Sequence, residues 1–307
     1  MTDSIRLQAF TSLGLTSLGL LFAPLGNTAE PTRIPPVLVE WNDEVNTPAI
    51  CLGNSQWFVS IIPSVLTEIE NLEAPVLKHG ETKMSGTFLH VDRQSRLCVL
   101  KTEGALGVQP IALASGPGPR AGLNLECYYS DATCQSTVAG KDRHYRGEIL
   151  PRPLLRIRVA DALHFCHVGA PLINEKGEIE GILTERDLAM KEEAHAIPAS
   201  QLRKLILDLE RYQRSGPVWV GLIFHSESST PIVLDVKPNS PASEAGIQPG
   251  DVILDLNHGE IEDLNDLVEA IYDLPAGENA TVRILRGLDQ VSLDVMPTFA
   301  ETAAREP

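Results

Sequence analysis

A short segment carries three side chains that could do chemistry: His164, Cys166 and His167. A cysteine becomes a nucleophile when a nearby histidine accepts the thiol proton. Neighbouring residues of an extended segment point to opposite sides, however. Nor does a carboxylate or second cysteine follow at the spacing of a zinc ligand. The segment therefore predicts no metal site, and an enzyme with unrecognised catalytic residues stays only as an alternative.

The composition limits which classes of protein the chain can belong to. With 307 residues and 43% hydrophobic content, it can bury a large core, and its length favours two domains. Lys and Arg total 25 against 41 Asp and Glu, a net charge of -16. Because nucleic acids and anionic membranes attract cations, we expect a peptide or protein partner and no nucleic acid.

The first 29 residues have the pattern of an export signal. Arg6 precedes an uncharged stretch rich in Leu and Gly, and Asn27-Thr28-Ala29 ends in a small residue suited to cleavage. A retained N-terminal anchor is the alternative, but the stretch is less apolar than the ~20 residues of a spanning helix. We therefore expect an exported protein, in the periplasm or cell envelope.

The chain contains five cysteines, and export would permit disulfides. Cys127 and Cys134 are close enough in sequence to bridge within one loop, whereas Cys98, inside an apolar run, is expected to be a small core residue. The pairing stays open at this point.

Residues 36–198 show short alternating or apolar runs separated by Gly, Pro and Asn, which predict an antiparallel barrel or sandwich. A helix follows, with Ser200 as its expected N-cap and Gly216 just beyond its end. We therefore predict a first domain at 36–214, a second at 215–298 and a tail at 299–307.

The second half resembles a PDZ domain of the type found in bacterial proteases. The resemblance covers about Val218 to Met296, and its most specific part is the segment 236–253, VKPNSPASEAGIQPGDVI. Ser240 would cap a short helix that begins with Pro241 and ends at Gly246, and Asp263 would cap a second helix.

The PDZ resemblance implies a groove between a sheet edge and the second helix, where an extended peptide adds as a strand. Gly221 would let the loop backbone approach the terminal carboxylate of the peptide. For Trp219 and Phe224, ordinary core packing is an equal alternative. The implied peptide-binding residues are Trp219, Val220, Gly221, Leu222, Ile223, Phe224, Leu264, Leu267, Val268 and Ile271.

Charge bears on the choice of ligand. Between residues 215 and 297 there are fourteen Asp and Glu, against Lys237, Arg283 and Arg286. This excess favours neutral or basic peptide tails. The alternative is that the carboxylates form a dispersed, solvated surface.

The first half resembles the HtrA/Deg family of trypsin-like serine proteases. The segment 169–182, GAPLINEKGEIEGI, is similar to the family's Gly-Gly-Pro-Leu strand pair, and Ala196-Ile197-Pro198 is similar to its Ala-Ile-Pro. The resemblance implies a mostly β fold: a chymotrypsin/trypsin-like double β-barrel followed by a PDZ domain, itself a β-sandwich with two helices.

The resemblance also assigns the three positions of the catalytic triad. Pro63 stands where the family has the histidine base, Arg96 where it has the orienting aspartate, and Val168 where it has the nucleophilic serine. Counted from Asp161, the serine position falls on Gly169, which has no hydroxyl either. Cys166 replaces a glycine of the oxyanion-hole turn.

We therefore predict a pseudoprotease without catalytic residues, metal or cofactor. It would bind peptides or protein C-terminal tails as a scaffold, regulator or chaperone-like factor in envelope protein quality control. By resemblance, a homo-oligomer or a hetero-oligomer with an active protease is expected. The alternatives are an active serine-type endopeptidase and a purely structural or oligomerisation module.

Overall fold

The computed structural model describes residues 37–53, 55–69, 72–93, 95–115, 118–129, 132–144, 152–159, 168–184, 193–225 and 228–300. The predicted export signal at 1–29 lies outside these residues, and so do His164, Cys166 and His167. No helix in the described ranges combines the length and apolar character needed to cross a membrane.

Six strands close the N-terminal barrel: β1 (Val37–Glu40), β2 (Asn46–Cys51), β3 (Trp57–Ile61), β4 (Val76–His79), β5 (Thr82–Val91) and β6 (Leu97–Thr102). Their order is β1-β2-β3-β6-β5-β4, and pairing of β1 with β4 completes the ring. Phe58, Leu77 and Leu100 are fully buried inside it. Cys98 is also fully buried, which confirms the expected core role.

Six further strands close the C-terminal barrel: β7 (Asn124–Tyr129), β8 (Ala132–His144), β9 (Arg152–Val159), β10 (Pro171–Ile173), β11 (Ile179–Leu183) and β12 (Glu193–Pro198). Their order is β10-β11-β12-β9-β8-β7. The ring closes between β10 and β7 through only two residue pairs, Leu172 with Cys127 and Ile173 with Glu126. Two closed barrels confirm the predicted trypsin-like fold.

Helix α1 (Ala199–Tyr212) follows the second barrel and buries Leu202, Leu205 and Leu209. The predicted N-cap was wrong. Pro198 takes that position without a side-chain hydrogen bond, and Ser200 lies inside the helix. The helix ends at Gln213, whose left-handed φ of 56° takes the role expected of a glycine.

The C-terminal domain consists of eight short strands and two helices: β13 (Val218–Trp219), β14 (Leu222–Phe224), β15 (Val233–Val236), α2 (Pro241–Glu244), β16 (Val252–Leu256), β17 (Gly259–Glu260), α3 (Leu264–Tyr272), β18 (Ala280–Arg286), β19 (Asp289–Val295) and β20 (Thr298–Phe299). Strands β17-β16-β18-β19 form one sheet, while β13 pairs with β20 and β14 with β15.

The predicted caps of this domain are confirmed. The Ser240 hydroxyl accepts a hydrogen bond from the Ser243 amide, and Pro241 opens α2. The Asp263 carboxylate accepts hydrogen bonds from the first amides of α3. Phe299 and Ala300, assigned to the tail by sequence, are instead buried, and Phe299 packs in the core of this domain.

Helix α3 also packs against β8 and β9 of the C-terminal barrel. At this junction Lys141 of β8 lies 2.5 Å from a carboxylate oxygen of Glu269 and 3.3 Å from one of Asp266. A second link joins Arg211 of α1 to Glu278. The barrel and the helix that should line the peptide groove are therefore in direct contact.

Candidate functional site

Pro63 and Arg96, two of the three triad-equivalent positions, lie side by side. Strand β3 pairs Ile61 with Leu97 of β6, and the Ile62 amide donates to the Arg96 carbonyl at 2.8 Å. This pairing brings the residue after each strand to the same end of the barrel. It is the juxtaposition that a histidine–aspartate pair would need, but neither side chain can act as a base.

The Arg96 guanidinium binds backbone carbonyls of the turn that follows β3. Its Nε donates to the Ile62 carbonyl at 2.7 Å, and its Nη2 donates to the carbonyls of Pro63 and Leu66 at 2.5 and 2.6 Å. We call this set of three hydrogen bonds the Arg96 clamp. A cation here satisfies carbonyl acceptors, and it would disfavour a protonated imidazole nearby.

The third position, Val168, is half-buried and leads into the tight backbone of Gly169. Gly169 has a φ of +87°, and a β-carbon added to it would lie 2.8 Å from the Pro48 carbonyl oxygen and 3.6 Å from the Ile61 amide nitrogen. The segment therefore approaches the end of β3 closely enough that only glycine fits at 169. Val168 therefore leads into a segment that packs against the end of β3, the strand that Pro63 follows.

The hydroxyl of Ser60 is nearby but is committed to the framework. It donates to the Pro48 carbonyl at 2.7 Å and lies 2.9 Å from the Thr47 hydroxyl, and Ser60 is fully buried. A hydroxyl in this position stabilises the pairing of β2 with β3 rather than facing a substrate. Within the described ranges, no cluster of His, Cys, Asp and Glu is suited to a metal ion.

The second candidate site is the edge of β14. Pairing with β15 sets Leu222 opposite Val236 and Ile223 opposite Asp235, and the Gly221 carbonyl accepts from the Lys237 amide at 2.8 Å. Because hydrogen-bonding direction alternates along an antiparallel pair, the backbone of Leu222 points away from β15. In the described part of the chain, β15 is the only strand that pairs with β14.

An apolar cavity of about 10 Å³ lies in the domain core, and Leu222 of this edge lines it beside core residues such as Ile253, Val282 and Val295. Val220 and Leu222 line it from the loop and β14, and Leu267 and Ile271 line it from α3. The structure thus brings four predicted groove residues together around one cavity. At this size it holds roughly one water, so a peptide side chain would have to be small or would have to move α3 outward.

The other predicted groove residues have different surroundings. Leu264 is buried in the domain core, and Phe224 packs against that core while remaining partly exposed. Trp219 and Ile223 are partly exposed. Val268 is 2% exposed but does not belong to the domain core; α3 turns its outer side to the barrel.

Gly221 has a packing role that the sequence did not reveal. It has a φ of +84°, and an added β-carbon would lie 2.2 Å from the Ser240 β-carbon. Ser240 is fully buried as the cap of α2. A bulky residue at 221 would therefore displace the start of α2 as well as block the approach of a peptide.

Many carboxylates of the C-terminal domain already have cationic partners. Asp251 is buried against Arg286, which lowers its pKa, and Asp255 lies 3.2 Å from Arg283. Lys141 of the C-terminal barrel forms ion pairs with Asp266 and Glu269. Asp235, next to the β14 edge, is exposed, and its carboxylate accepts a hydrogen bond from the neighbouring Val236 amide.

Residues 218–296 match the family model described as a PDZ domain. Among curated proteins, the serine endoprotease DegS of Haemophilus influenzae is 33% identical over 129 residues, which cover 38% of this chain and 37% of the relative. A probable periplasmic serine endoprotease, DegP-like, of Hahella chejuensis is 24% identical over 232 residues, 69% of this chain and 49% of the relative. The chain thus spans less than half of the length of these two relatives.

Solved structures of similar fold cover nearly the whole described chain. The HtrA-type protease AlgW with tripeptide matches with a TM-score of 0.60 at 16% identity, over 90% of this chain and 95% of that one. The serine endoprotease from Yersinia pestis matches with a TM-score of 0.54 at 19% identity, over 87% and 94%. By sequence and fold together, the chain is a homologue of the HtrA-type serine proteases, with two trypsin-like barrels and a PDZ domain.

Proposed function

We propose that this protein binds peptides or protein C-terminal tails through its PDZ domain and does not cleave them. The observation that carries the binding proposal is the open edge of β14 beside an apolar cavity lined by Leu222, Leu267 and Ile271. Such an edge can hydrogen-bond an extended peptide, and the cavity would admit its last side chain if that side chain is small or if α3 moves outward. AlgW, a protein of the same fold, has been solved with a tripeptide and with a decapeptide.

The non-catalytic part of the proposal rests on the Arg96 clamp. The mechanism of a trypsin-like protease needs an imidazole base, a carboxylate that orients it and a serine nucleophile. At the equivalent positions the chain has Pro63, Arg96 and Val168, and the Arg96 guanidinium is already bound to the Pro63 carbonyl. Loss of even one triad member lowers the rate by about 10⁴.

The role that follows is a scaffold, regulator or chaperone-like factor. Several relatives are named periplasmic endoproteases, which supports export and a place in envelope protein quality control. A homo-oligomer, or a mixed assembly with an active relative, belongs to the same proposal. Light scattering of the purified chain, alone and with an active relative, would test that point.

Peptide binding can be tested by fluorescence anisotropy with the whole chain. Labelled peptides ending in Ala or Val and in a free carboxylate should bind saturably, and the same peptides with a C-terminal amide should bind at least tenfold more weakly. Neutral or basic peptides should bind more tightly than acidic ones because of the acidic excess. Absence of saturable binding across a C-terminal peptide library would reject the proposal.

Catalysis is tested separately with casein and a fluorophosphonate probe. We expect neither cleavage nor labelling. Activity that disappears when Cys166 or a nearby serine is substituted would instead establish a peptidase. A chain that neither binds peptides nor cleaves casein would be a structural or oligomerisation module.

A further inference from the structure

Cys127 and Cys134 lie directly opposite each other on neighbouring antiparallel strands. The register of β7 and β8 pairs Glu126 with Gln135, Cys127 with Cys134 and Tyr128 with Thr133. Directly opposed residues of such a pair have α-carbons about 4.5–5.5 Å apart, within the range of about 4.4–6.8 Å that a disulfide spans. No rearrangement of the backbone register is needed to join the two sulfurs.

Both side chains also point to the same side of the sheet. Cys127 is 2% exposed and Cys134 is 9% exposed, and both pack in the core cluster of the C-terminal barrel with Leu125 and Leu172. Facing β-carbons on one face are the second requirement for a cross-strand disulfide. From this register and shared burial, we infer that Cys127 and Cys134 form a disulfide when the protein folds in an oxidising environment.

The other described cysteines lack this arrangement. Cys51 lies opposite Phe58, and Cys98 lies opposite Ser60. Burial raises the pKa of the Cys51 thiol to about 11 and also raises that of Cys98. Because neither faces another cysteine in these registers, the native fold does not favour a disulfide at either residue, and both serve as internal controls.

The reaction is two successive thiol–disulfide exchanges with a small or protein disulfide as oxidant. The thiolate of one cysteine attacks a sulfur of the oxidant, which forms a mixed disulfide and releases one thiolate. The second cysteine then attacks the protein sulfur of the mixed disulfide, forms the Cys127–Cys134 bond and releases the other thiolate. The two thiol protons end on the two released thiols, so the protein loses two electrons and the oxidant gains them.

The bond would strengthen the weakest seam of the barrel. The ring closes between β7 and β10 through two residue pairs, and Cys127 belongs to one of them. Strand β8, which carries Cys134, is the longest strand of the barrel at 13 residues and pairs with β9 along most of its length. A disulfide would tie the seam strand to this long neighbour. The inference rests on the proposed export only because export would place the protein in an oxidising compartment. It does not depend on peptide binding.

Mass spectrometry of the whole chain offers a direct test, because trypsin releases both cysteines in one peptide, Ala121–Lys141. The reduced chain is unfolded and refolded in a glutathione redox buffer, then denatured, alkylated with N-ethylmaleimide and digested. We expect the peptide to be unalkylated and lighter by two hydrogens, while Cys51 and Cys98 are fully alkylated. The C134S variant should instead alkylate at Cys127.

Stability provides the second readout. The oxidised chain should melt about 5 °C higher than the reduced chain, and this difference should vanish in C127S/C134S but persist in C166S. Full alkylation of both cysteines after oxidative refolding, or disulfides mainly with glutathione or Cys166, would overturn the inference. If C127S/C134S does not fold, the mass of Ala121–Lys141 from the unmodified chain still decides.

Discussion

Arg96, at the position that the family resemblance assigns to the orienting aspartate, has a structural role in this fold. Its guanidinium spans the carbonyls of Ile62, Pro63 and Leu66, and its own backbone has a φ of 60°. Left-handed backbone at a residue with a long side chain is uncommon, so the three hydrogen bonds stabilise a conformation that is otherwise unfavourable.

Replacing Arg96 by alanine should destabilise the N-terminal barrel by about 3 kcal/mol, because three carbonyls lose a charged donor. Lysine should recover only part of this, since a single ammonium cannot span the same acceptors. Urea unfolding measures both variants. Arg158→Ala, which removes a guanidinium whose side chain is 64% exposed, is the matched control and should change little. An equal loss of stability in Arg96→Ala and Arg158→Ala would contradict a stabilising role of the Arg96 clamp.

Gly221 and Gly246 form a natural comparison, because both have left-handed backbone, with φ values of +84° and +79°. An added β-carbon at Gly246 meets no atom within 4 Å, whereas at Gly221 it meets Ser240 at 2.2 Å. Gly246→Ala should therefore cost about 1 kcal/mol from backbone strain alone. Gly221→Ala should cost about 1–3 kcal/mol more from overpacking. Thermal unfolding that ranks the two variants equally would refute this account.

At the scale of elements, Asp273 lies at the C-terminal end of α3, close to α1. Part of the residue is exposed, but its carboxyl is largely buried. This burial and the nearby negative charge of Glu269 raise the pKa of Asp273 to about 7. The charges of Arg203 and Lys204 and a hydrogen bond with Ser200 lower this pKa, but by less. The folded protein therefore holds the proton of Asp273 more tightly than the unfolded chain does.

The contribution of Asp273 to stability should be complete below about pH 4, the ordinary pKa of an aspartate, and should disappear as pH rises through 7. Asp273→Asn removes this titration. We expect the stability of the unmodified chain, relative to Asp273→Asn, to fall between pH 4 and pH 8. Chemical unfolding of both proteins across this range measures the difference, and parallel curves would show that Asp273 does not titrate in this way.

At the scale of the whole molecule, the junction between barrel and PDZ domain depends on Lys141. Burial alone would lower the pKa of Lys141, but its hydrogen bond to Glu269 and the charges of Glu269 and Asp266 raise it, so it stays protonated. Helix α3 presents Leu267 and Ile271 to the cavity and Glu269 to the barrel. The same helix therefore belongs to both contacts.

Lys141→Met should destabilise the junction by about 2–3 kcal/mol, because it leaves two carboxylates without their cation. Lys141→Met combined with Asp266→Asn and Glu269→Gln should recover most of that loss, since no unpaired charge remains. Limited proteolysis between α1 and β13, together with thermal unfolding, measures the effect. No recovery in the triple variant would show that Lys141 acts through packing and not through charge.

Alternating strands predicted only an antiparallel barrel or sandwich, and the caps at Ser240 and Asp263 are local signals; the double barrel and the PDZ domain followed from the family resemblance. The Ser200 cap was wrong because β12 runs directly into the helix at Pro198, which leaves Ser200 in the first turn. Contacts such as Arg96 with Leu66, Gly221 with Ser240 and Lys141 with Glu269 join residues far apart in sequence. They could not be inferred without the fold; of the four α3 residues assigned to the groove by resemblance, Leu267 and Ile271 line the cavity, whereas Leu264 and Val268 do not.

Under the proposed non-catalytic role, the Arg96 clamp would also make a catalytic triad hard to restore. A histidine introduced at position 63 would lie in a turn whose carbonyls bind the Arg96 guanidinium. An aspartate introduced at position 96 would leave those carbonyls without their donor, and without a histidine at 63 it would have no imidazole to orient. Each single step back would cost stability and return no activity. Restoring a triad in this scaffold would thus need several replacements at once.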